Sequence, residues 1–88
     1  MITKEVSVSN RLGLHARPSA LLAKTANMYS CSTTITHKGR TVDCKSILGL
    51  MTMALPFGSV VKIECDGPNE ENCLQHITDL FGNKFGEE

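Results

Sequence analysis

The sequence predicts an α+β fold. It should be an open-faced, two-layer sandwich in the order βαββαβα, with three helices on one face of a four-stranded, mostly antiparallel sheet. Three observations predict it. Apolar and polar residues alternate with period two in short stretches near 2–8, 31–37 and 59–66. Helical spacing takes over between and after them, from 15, from 46 and from 69. The chain has 88 residues, 41% of them hydrophobic, which suffices for one modest core and so for a single domain over 1–88.

Each element has its own signal. Ile2, Val6 and Val8 lie on one strand face and Thr3, Glu5 and Ser7 on the other, with Lys4 interrupting the inward side. Positions 10–13 form a loop in which Gly13 supplies backbone freedom. From His15 the spacing becomes helical. Ala16, Ala20 and Ala23, with Leu22, Ala26 and Tyr29, mark a face that ends near Met28. Cys31, Thr33 and Ile35 alternate with Ser32, Thr34 and Thr36 in a β-branched second strand. Lys38-Gly39 is a hairpin turn into a short strand over 40–43. Ser46 is placed to cap a helix running to about Leu55, where Pro56 stops it. A strand over 59–66 points Val61, Ile63 and Cys65 one way. Gly67-Pro68-Asn69 turns the chain, and Asn69 is placed to cap the last helix, whose first turn holds Glu70 and Glu71. Cys73 or Leu74, Ile77, Leu80, Phe81 and Phe85 form its buried stripe. The tail, Gly86-Glu87-Glu88, is expected to fray.

Charge and composition exclude several classes. Nine Lys plus Arg balance nine Asp plus Glu. A zero balance argues against nucleic-acid binding by bulk positive charge and offers no polybasic membrane anchor. The apolar run over 47–57 is broken by Gly49, Thr52 and Pro56 and is too short to span a bilayer. The opening MITKEVSVSN has no apolar signal core, so a cytoplasmic protein is expected. Cys31, Cys44, Cys65 and Cys73 stand 13, 21 and 8 positions apart and form no CxxC pair. They are expected to be reduced thiols filling the core, with no metal site and no cofactor. A thiol- or metal-binding domain using these cysteines and the histidines is the remaining alternative for them.

The informative stretch is Gly13-Leu14-His15-Ala16-Arg17-Pro18. A His stands where a loop meets a helix, and an Arg follows two residues later. The first turn of a helix has amides without internal acceptors and partial positive charge, and Pro18 tolerates that turn. An anion held there would meet free amides and the Arg17 guanidinium. If that anion is a phosphoryl group on His15, the imidazole acts as nucleophile, and Arg17 spreads the charge of the transferring group. On spacing alone, a lone His at a helix start is more often a merely polar residue, because His has many structural uses. His37 and His76 lack such a setting and are expected at the surface.

The stretch NRLGLHARPSALLAKTA resembles the active-site segment of the HPr family, the histidine-containing phosphocarriers of the bacterial phosphoenolpyruvate-dependent phosphotransferase system. CKSILGLMTMALPFGS, the GxxVxI strand and the final helix extend the resemblance over essentially the whole chain. The resemblance implies the HPr sandwich and a phosphoryl-transfer intermediate rather than an enzyme with its own turnover. It implies phosphorylation of His15 on Nδ1 by enzyme I, with Arg17 and Ala16 binding the phosphate, and transfer to a IIA domain. A monomer is expected. Leu12 departs from many sugar-type members, which have a small polar residue there. RLGLHARP and the tail DLFGNKFGEE look nearer to the nitrogen-type homologue NPr, whereas KSILGLM looks nearer to sugar-type carriers. The alternative is therefore an NPr-like regulatory switch that acts by binding partners and not through sugar uptake.

The second helix carries apolar residues all round, yet a helix on a sheet buries one side. Ile47, Leu48 and Met51 should then stay exposed, and exposed apolar residues with an adaptable Met suit partner docking. The bland alternative is that all of them pack. The resemblance implies small, weak contacts there with enzyme I and IIA domains. Ser46 as an N-cap contributes about 1 kcal/mol. The resemblance adds phosphorylation of Ser46 by an HPr kinase/phosphorylase, which would put negative charge beside the docking face.

Overall fold

The computed structural model of the chain describes residues 1–87. Its elements are β1 (Ile2–Ser7), α1 (Ala16–Ala26), β2 (Ser32–His37), β3 (Arg40–Asp43), α2 (Ile47–Met53), β4 (Val60–Asp66) and α3 (Glu70–Gly82). The sheet order is β1-β4-β2-β3, and every neighbouring pair is antiparallel. Lys38 and Gly39 both adopt left-handed backbone, with φ of 50° and 82°. That geometry matches the twist of a two-residue hairpin and joins β2 to β3. The register sets Val6 opposite Val61 and Ile35 opposite Ile63, so inward residues stack on one face. On the outer face Glu5 stands opposite Lys62.

The core lies between that face and the helices. Ile35, Val61 and Ile63 from the sheet meet Leu22 and Ala26 of α1, Leu50 of α2, and Ile77 and Phe81 of α3. Each large side chain buried there contributes about 1.5–3 kcal/mol. All four cysteines are buried and free. No helix among the described residues is long and apolar enough to cross a membrane.

The order and the sheet are as the sequence predicts, but several details differ. Ala16 and Ala20 are exposed, and α1 buries Pro18, Ser19, Leu22, Ala23 and Ala26 instead. Alanine suits either face, and Ser19 tolerates burial because its hydroxyl donates to the Leu14 carbonyl at 3.3 Å. Helix α1 ends at Ala26, short of Met28, and α2 ends at Met53 because Ala54 turns left-handed. Asn69 takes the N-cap position of α3 with left-handed backbone (φ 59°), and its side chain makes no cap bond. A side-chain cap needs extended backbone at that residue. The Glu70 carboxylate accepts the Gly67 amide there instead, at 3.0 Å. His37 and His76 are half-buried and bonded, His37 Nδ1 to the Val60 carbonyl and His76 Nδ1 to the Tyr29 hydroxyl.

The tail corrects the expectation of fraying for Gly86 and Glu87; Glu88 lies outside the described residues. After α3, Lys84, Phe85 and Gly86 take left-handed backbone in succession. For a phenylalanine that costs about 1–2 kcal/mol. Burial of Phe85 edge-on to Phe81, with ring centroids 4.8 Å apart, offsets it. The turn sends Glu87 back toward the start of α1.

Candidate active site

The segment between β1 and α1 is stitched to the segment between α2 and β4. The amides of Val8 and Leu14 donate to the carbonyls of Ser59 and Leu55, both at 2.8 Å. Gly13 makes the approach possible. Its φ is +74°, and a Cβ there would collide with the Leu55 carbonyl oxygen. Asn10, fully buried, donates through Nδ2 to the Gly13 carbonyl. These contacts deliver His15 to the N-cap of α1 with extended backbone.

No side chain caps α1. The amides of Ala16 and Arg17 therefore have no acceptor within the helix, and Pro18 has no amide to satisfy. The His15 side chain is 36% exposed, open enough for a reacting partner. Its Nε2 lies 3.0 Å from Glu87 Oε2 and 3.2 Å from Oε1. Asn10 Nδ2 donates to the same Oε1 at 3.0 Å. An ionised carboxylate only accepts, so Nε2 carries the proton in this pair. Nδ1 is then the ring nitrogen without a hydrogen-bond partner among the described residues. Desolvation pushes the Glu87 carboxyl up, but hydrogen bonds from Asn10 and His15 and the charges of His15 and Arg17 outweigh it. The net direction is downward, and the group stays ionised.

The predicted residues His15, Ala16 and Arg17 thus come together at one helix end. Arg17 and Glu87 border one surface depression with Arg11, Leu12 and Gly86. A second depression runs from His15 to the end of α2 and is lined by Leu12, Leu14, Met51, Leu55 and Pro56. Met51 therefore adjoins His15. Ile47 and Leu48 are exposed on the same helix, as expected, and Leu48 is 77% accessible. Leu12, also exposed, adds to the apolar surface beside the His. Ser46 caps α2, its Oγ accepting the Gly49 amide at 3.0 Å, and it lines neither depression. Glu87 was not legible in the sequence: it acts 72 positions from His15 through a left-handed turn that no local pattern announces.

The arrangement can hold an anion at a nitrogen nucleophile. Free amides and a guanidinium supply positive charge, and a carboxylate fixes the ring tautomer. Burial pushes the Cys65 thiol up to about 12 and Cys44 higher still, so neither competes with His15 for a phosphoryl group at neutral pH.

A family model described as "PTS HPr component phosphorylation site" matches residues 2–83. Phosphocarrier protein HPr of Xylella fastidiosa (strain Temecula1) is 41% identical over 88 residues, spanning 100% of this chain and 99% of that protein. The solved structure of HPr-C-His from Thermoanaerobacter tengcongensis is similar at a TM-score of 0.96 and 38% identity, covering 100% of this chain and 99% of that one. An HPr dimer from the same organism is similar at a TM-score of 0.79 and 38% identity, covering 93% and 94%.

Proposed function

The chain belongs to the HPr family of phosphotransferase-system phosphocarriers, and on that premise we propose that His15 is the residue that takes up and surrenders the phosphoryl group. As a phosphocarrier the protein is a consumed and regenerated intermediate, and its partners are those of the phosphotransferase system, enzyme I and IIA domains. The relatives matched over nearly their full length include HPr phosphocarriers, which favours the carrier over an NPr-like switch.

In this reading the Nδ1 lone pair forms a P–N bond as the donor's bond to phosphorus breaks. The Ala16 and Arg17 amides and the Arg17 guanidinium take up charge on the phosphoryl oxygens. Glu87 holds the Nε2 proton and steadies the positive charge that the ring gains. Transfer to the acceptor reverses these steps. The observation that carries the reading is the Nε2 to Glu87 bond of a half-exposed His at an uncapped helix start. Enzyme I with radiolabelled phosphoenolpyruvate tests it. Acid-labile, base-stable label should appear on the wild type and not on His15→Ala, and equal label on both contradicts it.

Ile47, Leu48 and Met51, with Leu12, form the docking face in this reading, supported by their exposure beside His15. Ser46 is exposed at the head of that face, where an HPr kinase/phosphorylase would reach it. We take the working carrier as a single-domain monomer, since one chain holds His15, Arg17 and Glu87 together, and as cytoplasmic, where the phosphotransferase-system role of its family places it. Sedimentation of the active species checks the monomer.

A further inference from the structure

Outside the phosphoryl site, three of the four cysteines meet in the core. Cys31 precedes β2, Cys65 lies in β4 and Cys73 in the first turn of α3. Their Sγ atoms all lie within 4.8 Å of one another. Thr33, paired with Cys65 across β2 and β4, links them, with its Oγ1 3.4 Å from Cys73 Sγ and 3.9 Å from Cys31 Sγ. All three thiols are buried, and no His, Asp, Glu or fourth Cys joins the group among the described residues. Spacings of 34 and 8 positions contain no ligand motif; the sheet and α3 create the cluster.

We propose that Cys31, Cys65 and Cys73 form a three-thiolate site for a trivalent thiophilic ion, with arsenic(III) as its type. Donor number and charge make the choice. Structural zinc takes four donors, and this cluster supplies three. Three thiolates around zinc(II) leave a net charge of −1, and around copper(I) −2, in a core whose buried residues include no Lys or Arg. An uncompensated buried charge is costly. Three thiolates around a trivalent ion are neutral and suit apolar surroundings. Metal–sulfur bonds of about 2.3 Å put ligand sulfurs no more than about 4 Å apart, so the thiols need close by only on the order of 1 Å.

The exchange balances without a redox partner. Arsenous acid breaks three As–O bonds and forms three As–S bonds. The three S–H protons leave with the three hydroxides as water, and arsenic stays trivalent. Cys73 sets the cluster against the start of α3, where no side chain caps the helix. The Gly67 turn there packs on Cys31 so closely that a Cβ on Gly67 would stand 3.1 Å from the Cys31 Cα.

Native mass spectrometry of the fully reduced chain with sodium arsenite tests the proposal. One adduct is expected, equal to one arsenic less three hydrogens and retaining no oxygen. Thermal unfolding should shift upward, because the folded chain holds the three thiols together before the ion binds and the unfolded chain does not. Cys31→Ala, Cys65→Ala and Cys73→Ala should each lose the oxygen-free adduct, and Cys44→Ala should keep it. Circular dichroism confirms that each variant is folded, and the Cys→Val series replaces any that is not. An adduct that keeps a hydroxyl, one lost in Cys44→Ala, a lowered Tm, stoichiometric zinc binding that Cys73→Ala abolishes, or no adduct, which means structural thiols only, overturns it.

Discussion

The first turns of α1 and α2 differ in what satisfies their free amides. At α2, Ser46 places its hydroxyl on the Gly49 amide, so the helix closes its own end. At α1, the N-cap residue is His15, and no side chain reaches the first-turn amides. The ring is instead turned outward to Glu87. One helix start is finished by its own sequence and serves stability. The other is left open beside His15 and Arg17, the arrangement that the proposed phosphoryl transfer uses. Local polar groups left without partners are the mark of the functional end.

Substitutions can break this contrast from either side. The largest effect is expected from Arg17→Ala, which removes the cation beside the open helix start. Phosphoryl transfer should slow by about 10²–10³-fold, the loss typical of one charge-stabilising donor, with Tm unchanged because the side chain is exposed. Rapid-quench transfer from phosphorylated enzyme I measures it, and an unchanged rate removes Arg17 from the site. Gly13→Ala comes next. It forces an L side chain into φ +74° against the Leu55 carbonyl and should cost more than about 1 kcal/mol in urea unfolding, while displacing His15.

Ser46→Ala probes the closed helix. It should cost about 1 kcal/mol of stability and leave labelling of His15 intact. Ser46→Asp should keep the fold and raise the KM of enzyme I for the carrier, through charge beside the proposed docking face. If Ser46→Ala abolished labelling while remaining folded, the division between the two helix starts would fail.

The smallest effect concerns the tail. The Glu87 carboxyl is held below its ordinary value in the folded chain. Its contribution is therefore fully present above the ordinary carboxylate pKa and is lost as pH falls through the lowered folded value. NMR shifts of the His15 ring should report that contact down into the acid range in the wild type. Glu87→Gln should show no such step and should transfer several-fold more slowly, in line with the modest worth of one orienting hydrogen bond.

What the sequence reveals divides along the same physical line. Alternation exposes the strands, since Val61, Ile63 and Cys65 must share one face of β4. His15, Ala16, Arg17 and Pro18 are legible because their roles depend on one local event, a helix beginning there. Ala16 and Ala20 mislead because alanine has too little side chain to declare a face. Asn69 misleads because a residue that caps well in extended backbone is here left-handed. Glu87 and the cysteine cluster are invisible because both depend on tertiary approach: one needs three successive left-handed residues, the other a helix laid over two strands.

In the proposed transfer Glu87 holds the Nε2 proton and leaves Nδ1 to take the phosphoryl group. Enzyme I should therefore phosphorylate chain labelled with ¹⁵N in its histidine rings so that phosphorus couples to Nδ1 of His15. Coupling to Nε2, or to a ring nitrogen of His37 or His76, would contradict the account.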